Sequence, residues 1–562
     1  MSTDPGTVPP QTYPPRQAPP AASSPAGAAT DAAQPGLPSL RVKGTLATAA
    51  VAVMVAQIAN ALPGALNGEF QTTFNTVGSQ LTLIAAAFMI PVVVFELTFG
   101  LLGDKLGHKK LVMGGALLLA IGSLVCTLSP NVEAMWVGSA LNGLGAGAIF
   151  PASLALVAAV THDARARAKG IAMWAGFLSV GAALSPLIGG IFASQGIWRG
   201  AYGVVAGISV LTVILAILVA AEHKAAQGRQ PDWWGQATFA LGLILVLFGL
   251  VKGPEDGWGA PHVVSSFVAG IVLLIAFVLI ETRVESPLLD LRLFRNRGFT
   301  ISSIVAVVGM FAFLGSLFSL SMWLGPVQHQ NPLNIGLLFL LLQGPTFVLV
   351  PVISRLLTRV AGRWLLTAGF LLMAAGAVMA SRLDVTDMSM TPFITPALLL
   401  GIGFALTLSP MTAIALNTVP LHLAGMASAT TNLLRDLGFA LGPVLAGAVA
   451  LSTAGAGLGA ALQSATLPAD QAGAANAVFQ AGGPIALNSL PPGAPGSAAH
   501  ELALQSLGNG FSQAFIVCAF AAAAAALLTL IGLHGVRDNH PDAKAFIDVV
   551  PGPSEDFNSL TA

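Results

Sequence analysis

The chain has 562 residues, of which 55% are hydrophobic and only 9% are charged. Soluble globular domains carry about 25% charged residues, so this composition, with a mean hydropathy of +0.80, excludes a soluble enzyme. The 24 basic and 24 acidic residues balance, which gives no electrostatic footprint for a nucleic-acid partner. Cys126 and Cys518 alone provide no disulfide framework. We therefore predict an all-α polytopic membrane protein.

The N-terminal segment differs in composition from the rest of the chain. Residues 1–38 hold ten prolines among small and polar residues, and such a segment has too little apolar bulk to order itself. We therefore predict a disordered tail at 1–43. A second tail is predicted at 536–562.

Fourteen apolar runs of membrane-spanning length follow the first tail. The first six lie at 44–222, the next two at 235–281 and the last six at 299–535. Between the last two runs, residues 451–509 are rich in Ala, Gly, Ser and Pro. This stretch is predicted to be an external connecting loop.

The basic residues lie almost entirely on one side of this topology. With the N-terminus inside, 20 Lys and Arg residues fall in cytoplasmic segments, three (Arg199, Lys252 and Arg382) fall outside, and Arg435 lies within a span. Cytoplasmic loops of membrane proteins carry such an excess of positive charge. The asymmetry predicts a plasma-membrane protein with both termini in the cytoplasm.

Two motifs carry a resemblance to a known family. The second span ends in a glycine-rich turn with an acid and several cations, namely Gly100, Asp104, Lys105, Gly107 and Lys109, with His108 where an arginine is commoner. The fifth span carries small residues around a proline, namely Gly181, Pro186, Gly189 and Gly190. The first motif resembles the loop signature between helices two and three of the major facilitator superfamily. The second is similar to that family's antiporter motif.

The chain has two more spans, between its first six and its last six, than a twelve-helix protein. In this it resembles the fourteen-helix drug:proton antiporter branch of that family. This resemblance implies the major facilitator fold, with two six-helix bundles around a central cavity and a two-helix insert. Two positions depart from the branch. Met54 occupies the place of an acid in the first helix, and Ser139 stands where an arginine tied to proton coupling is usual.

Three charged residues lie deep within the predicted spans: Glu96, Arg435 and Asp436. A charge at the centre of a membrane helix costs about 2.5–3.5 kcal/mol on insertion scales, so each must face a cavity or a partner. Arg435 and Asp436 are neighbours that point about 100° apart around the helix. We predict that Glu96 pairs with Arg435 as a gate, and that Asp436 carries the proton. A structural ion pair is the alternative for Glu96.

Polar residues on the first and fourth spans share helix faces. Gln57 and Asn60 are three residues apart, as are Ser139 and Asn142. All four are candidates for lining the central cavity, and interhelical hydrogen bonds are the alternative.

The predicted function is export of a hydrophobic or amphipathic, drug-like small molecule across the cell membrane by proton antiport. Alternatives are a dedicated metabolite or lipid exporter with altered coupling, and a membrane sensor that transports nothing. We expect no enzymatic activity, cofactor, metal or use of ATP, and a monomeric protein whose partners are its substrate, protons and the lipid bilayer.

Overall fold

The computed structural model of the chain describes residues 39–536, apart from 77, 162–163, 223–231, 285–286, 288, 290, 358, 420–423 and 466. Within this part the chain forms sixteen α-helices and no strand. Most of both predicted tails therefore lies outside the described residues. The first helix already begins at Ser39, within the segment predicted as the first tail.

The helices follow the predicted order of two halves and an insert. The first half comprises α1 (Ser39–Phe74), α2 (Gly78–Leu106), α3 (His108–Leu128), α4 (Val132–Val160), α5 (Ala164–Ser194) and α6 (Arg199–Val219). The insert comprises α7 (Trp233–Asp256) and α8 (Pro261–Glu281). The second half comprises α9 (Arg297–Met322), α10 (Pro332–Val348), α11 (Val350–Leu357), α12 (Gly362–Ala380), α13 (Thr391–Asn417), α14 (Ala424–Ser464), α15 (Ala469–Asn488) and α16 (His500–Gly532).

Thirteen of the described helices are long and apolar enough to cross a membrane, and α10 is a shorter apolar helix. The predicted tenth run corresponds to α10 and α11 together, which are separated at Leu349. Pro345 lies inside α10 and Pro351 follows the break. Because a proline ring removes one backbone hydrogen bond and crowds the preceding turn, these two residues account for the interruption.

The same helix pairs pack together in both halves. In the first half α1 packs on α4, α5 and α6, α2 on α4, and α3 on α4 and α6. In the second half α9 packs on α13, α14 and α16, α10 on α13, and α12 on α13 and α16. The two halves meet mainly at two seams, one between α2 and α14 and the other between α5 and α10, with a smaller contact between α1 and residues 323–327 after α9. Exchanging the halves converts one seam into the other, as expected of a transporter built from repeats.

Close backbone contact at glycines fixes these pairs. A Cβ atom at Gly145 of α4 would lie 2.5 Å from the carbonyl oxygen of Gly115 on α3. The equivalent atom at Gly403 of α13 would lie 2.5 Å from the carbonyl oxygen of Gly369 on α12. Small residues let membrane helices approach this closely, and the same device serves both halves.

The segment 451–509, predicted as a connecting loop, is largely helical. Helix α14 continues to Ser464, α15 follows, and α16 already begins at His500. Apolar side chains of this region form a separate buried cluster, made of Leu458, Leu462, Ala475, Leu487, Ala499 and Ala503. Its alanine and glycine content thus allows close helix packing.

The bundle has two ends, which we call proximal, where α1 begins, and distal, where α1 ends. At the distal end the α5–α10 seam is tight, because a Cβ atom at Gly336 would lie 2.5 Å from the carbonyl oxygen of Pro186. Towards the proximal end, Cβ atoms at Gly176 of α5 and Gly344 of α10 would meet no described atom within 4 Å. The close backbone packing at Gly336 thus does not extend to these two positions.

Adjacent glycines on α3 provide a test of the packing. We expect Gly115→Ala to destabilise the protein by about 1–3 kcal/mol, as overpacking does, because the new methyl group would lie 2.8 Å from the Gly145 carbonyl oxygen. Gly114→Ala is the control, since nothing lies within 4 Å of its Cβ position. Thermal unfolding in detergent measures both variants, and equal unfolding temperatures would contradict the packing argument.

Candidate functional site

The three deep charges meet at the α2–α14 seam. Glu96 of α2 is 8% exposed and Asp436 of α14 is 5% exposed. The Nε atom of Arg435 donates a hydrogen bond of 3.0 Å to Oδ1 of Asp436. Its Nη1 atom donates one of 3.2 Å to Oδ1 of Asn432. Arg435 thus binds two side chains of its own helix.

This arrangement corrects the prediction that Glu96 pairs with Arg435 while Asp436 stands apart. Two neighbouring residues do leave a helix in different directions, but the long arginine side chain curls back and reaches the carboxylate beside it. Glu96 lies within hydrogen-bonding reach of Asp436 across the seam, and Arg435 is also near it. Glu96 therefore faces a second carboxyl group as well as a cation.

A hydrogen bond between two carboxyl groups requires a proton on one of them, because a carboxylate only accepts. The Oε2 atom of Glu96 is buried and has no hydrogen-bond partner among the described residues. With one shared proton, Glu96, Asp436 and Arg435 together carry no net charge. Without that proton, they carry one negative charge in a region of low dielectric, where like charges repel strongly. The seam can thus bind a proton between its two sides.

Gln236 of α7 holds α2 beside Glu96. No sequence pattern indicated this role. Its amide nitrogen donates to the carbonyl oxygen of Val94 at 2.5 Å, and its amide oxygen accepts from the hydroxyl of Thr98. At the distal end of α7, Oε2 of Glu255 accepts from the hydroxyl of Ser79 on α2 at 2.8 Å. The insert therefore runs along α2 and is hydrogen-bonded to it near both ends.

The loop motif joins α2, α3 and α6 at the proximal end. Gly107 has a φ of +109°, and a Cβ atom there would lie 2.3 Å from Oε1 of Glu222, so only glycine fits. Nε2 of His108 lies 3.0 Å from Oδ1 of Asp104, and His108 is buried rather than exposed. Nζ of Lys109 donates to the carbonyl oxygen of Ala220 at 2.9 Å, which satisfies the C-terminal end of α6.

The remaining residues of that motif have simpler surroundings. Lys105 is exposed, and Gly100 faces Pro151 of α4 at the limit of contact, 4.0 Å from its Cβ position.

The antiporter-motif helix contacts both halves. A Cβ atom at Gly181 would lie 2.5 Å from the carbonyl oxygen of Met54, and one at Gly189 would lie 3.2 Å from Cβ of Ala65, both on α1. One at Gly190 would lie 2.8 Å from the carbonyl oxygen of Pro332, which begins α10. Pro186 is buried on the same helix. This helix therefore connects α1 with the opposite half.

The four polar cavity candidates separate into two pairs. Gln57 and Asn60 are partly exposed, and neither makes a side-chain hydrogen bond within the described residues. They remain candidates for lining the space between the halves.

Ser139 and Asn142, in contrast, are buried between α3 and α4. Oδ1 of Asn142 accepts from the hydroxyl of Ser123 at 3.0 Å, and its Nδ2 donates to the thiol sulfur of Cys126 at 3.9 Å. For this pair the prediction of a cavity lining is wrong and the alternative, an interhelical contact, holds, because glycines bring α3 and α4 so close that both residues are buried between them.

Comparison with known proteins agrees with this architecture. The family model described as Major Facilitator Superfamily matches residues 46–443. The multidrug resistance protein Stp of Mycobacterium tuberculosis is 27% identical over 382 residues, which cover 68% of this chain and 71% of that protein. The tetracenomycin C resistance and export protein of Streptomyces glaucescens is 27% identical over 505 residues, covering 89% and 93% of the two chains.

Solved structures show the same fold. A bacterial homologue of the human lysosomal transporter Spinster matches with a TM-score of 0.62 at 14% sequence identity, covering 88% of this chain and 98% of the other. The predicted fold class, an all-α major facilitator fold, is confirmed.

Gln236 provides a test of how the insert holds α2. We expect Gln236→Leu to lower the free energy of unfolding by about 1 kcal/mol, in the range measured for hydrogen bonds between membrane helices. Thr238→Ala is the control, because the Thr238 hydroxyl bonds only to carbonyl groups of α7 itself. Unfolding curves of both variants provide the measurement. A Thr238→Ala effect as large as that of Gln236→Leu would show that Gln236 has no special role.

Proposed function

Because the chain belongs to the Major Facilitator Superfamily, we propose that it exports a hydrophobic or amphipathic small molecule in exchange for protons, at the carboxyl pair of the α2–α14 seam. Membership makes it a multi-pass membrane transporter and not an enzyme. Relatives named for multidrug resistance and for the export of an antibiotic support a drug-like substrate.

The single observation that carries proton coupling is the contact between Glu96 and Asp436 across the halves. With one proton bound, the two carboxyl groups hydrogen-bond and hold α2 against α14. Loss of the proton leaves two carboxylates that repel each other in a dehydrated place, which weakens the seam. Proton binding is thereby linked to the relative position of the halves, as antiport requires.

Arg435 has a supporting role in this scheme. Its guanidinium group is hydrogen-bonded to Asp436 at 3.0 Å, so Asp436 is the ion-paired member of the two carboxyl groups, and we assign the exchangeable proton to Glu96. This reverses the roles that the sequence suggested, in which Asp436 was the carrier.

We further propose that the proximal end is cytoplasmic and that the protein acts as a monomer. The charge asymmetry supports this orientation, since Lys105, Lys109, Arg355 and Arg363 all lie at that end. The lack of a close contact at Gly176 and Gly344 within the described part then supports a conformation in which α5 and α10 are separated on the cytoplasmic side.

A dedicated exporter of one metabolite or lipid is the second candidate. It is favoured by the position of Met54, an uncharged residue that is partly exposed beside Gln57 on α1. Transport of one compound, with no response to chemically different drugs, would distinguish this candidate from multidrug export.

The coupling site is tested by substitutions of the two carboxyl groups. We expect Glu96→Gln to remain stable, because its amide can still donate to Asp436, and to abolish uptake driven by a pH gradient in inverted vesicles. Asp436→Asn should instead lower the unfolding temperature by several degrees, since it leaves the Arg435 charge unpaired. Adding Arg435→Gln to Asp436→Asn should restore part of that stability.

Glu69→Gln is a matched control, because Glu69 is a partly exposed carboxyl group of α1 away from this seam. Proton-driven uptake by Glu96→Gln at the unmodified rate would rule out Glu96 as the proton site. Substrate exchange without a gradient separates loss of coupling from loss of transport.

The orientation is tested by labelling with a membrane-impermeant thiol reagent. Both native cysteines are buried, so single cysteines can be introduced on this background. We expect Lys110→Cys at the proximal end to be unreactive from outside intact cells, and Arg382→Cys at the distal end to react. The reverse pattern would invert the topology.

A further inference from the structure

A groove at the proximal end lies away from both seams. It is formed where α9 and α12 begin and α16 ends, and its volume is about 550 Å³. Its lining residues are Arg297, Arg363, Trp364, Leu530, Ile531 and His534. The groove is therefore basic on one side and apolar on the other.

The basic side carries charge that the protein does not neutralise within its described part. Among the described residues, no carboxylate lines the groove and neither Arg297 nor Arg363 has an ion-pair partner. Nη2 of Arg297 donates to the carbonyl oxygen of Ile531 at 3.3 Å. The guanidinium carbon of Arg363 lies 5.0 Å from the ring centroid of Trp364. These contacts orient both arginines and leave their positive charges available.

Two helix N-termini add to this potential. Helices α9 and α12 both begin at the groove, and the N-terminal end of a helix carries a partial positive charge that favours anions. The C-terminal end of α16 carries a partial negative charge, but Arg297 already binds one of its carbonyl groups. The groove as a whole is suited to a phosphate group.

The apolar side faces the membrane. Trp364 is 50% exposed and Ile531 is 59% exposed, although both are bulky apolar residues. Tryptophan is enriched at the membrane–water interface, where its ring contacts acyl chains and its N–H group meets the headgroups. An occupant must therefore join an anionic group to a hydrocarbon chain.

We propose that this groove binds an anionic phospholipid, with its phosphate between Arg297 and Arg363 and an acyl chain along Trp364, Leu530 and Ile531. Basic pockets between membrane helices are suited to such headgroups. The site is separate from the α2–α14 seam, so it does not depend on the function proposed above. The lipid would hold α9, α12 and α16 together at the membrane surface.

The test uses the full chain in vesicles of phosphatidylcholine with and without phosphatidylglycerol. We expect phosphatidylglycerol to raise the unfolding temperature of the unmodified protein. The variant Arg297→Gln/Arg363→Gln should bind it about 25-fold more weakly, from about fivefold for each basic residue. Arg297→Lys/Arg363→Lys keeps both charges and should retain most of the binding. Arg382→Gln, which removes an exposed arginine at the distal end, should have no effect.

Three outcomes would overturn the proposal. The first is unchanged binding of phosphatidylglycerol by the double glutamine variant. The second is an equal stabilisation by inorganic phosphate alone, which would make the groove a site for a soluble anion. The third is binding of the phospholipid only after residues 537–562 are removed, because that acidic segment, which includes Asp538 and Asp542, would then be the occupant.

Discussion

Close backbone contact between helices is the constraint on which the rest of this structure depends. Lipid chains are as apolar as leucine side chains, so burying apolar surface gives little drive for two membrane helices to associate. Dispersion contacts and interhelical hydrogen bonds must therefore drive the association of the helices, and both need short distances between them. Gly115 with Gly145, and Gly369 with Gly403, provide these distances at equivalent places in the two halves. Helices α2 and α14 are held in the same way, because Cβ atoms at Gly143 of α4 and Gly438 of α14 would lie 2.1 Å and 2.4 Å from the carbonyl oxygens of Phe88 on α2 and Val307 on α9.

The polar groups in this bundle follow from the same closeness. Where α3 and α4 touch, Asn142 finds hydrogen-bond partners across the contact and becomes structural. Where α2 meets α14, Glu96 meets another carboxyl group. The first arrangement is complete as it stands, whereas in the function proposed above the second takes up a proton. This difference separates a residue that holds helices together from one that can respond to a gradient.

The fold could be predicted from the sequence because apolar runs of sufficient length have few alternatives in a bilayer. Glu96, Arg435 and Asp436 could be found by their depth alone, since buried charges are rare. Which of these three residues pair could not be predicted. The pairing depends on how far the arginine side chain reaches, and not on the direction in which that side chain leaves the helix. Gln236 was missed because a glutamine in an apolar run has no distinguishing pattern. The helices in 451–509 were missed because alanine and glycine suit both loops and tightly packed helices.

The insert has a consequence for the surroundings of the transporter. Helix α7 packs along α2 and α14, so the outer side of that seam is shielded by protein. The α5–α10 seam presents exposed apolar residues instead, among them Ile191 at 44% and Phe347 at 51%. Two seams that the internal repeat makes equivalent thus have different neighbours. A molecule dissolved in the bilayer can therefore contact the α5–α10 seam directly, whereas α7 lies between the bilayer and the outer side of the α2–α14 seam.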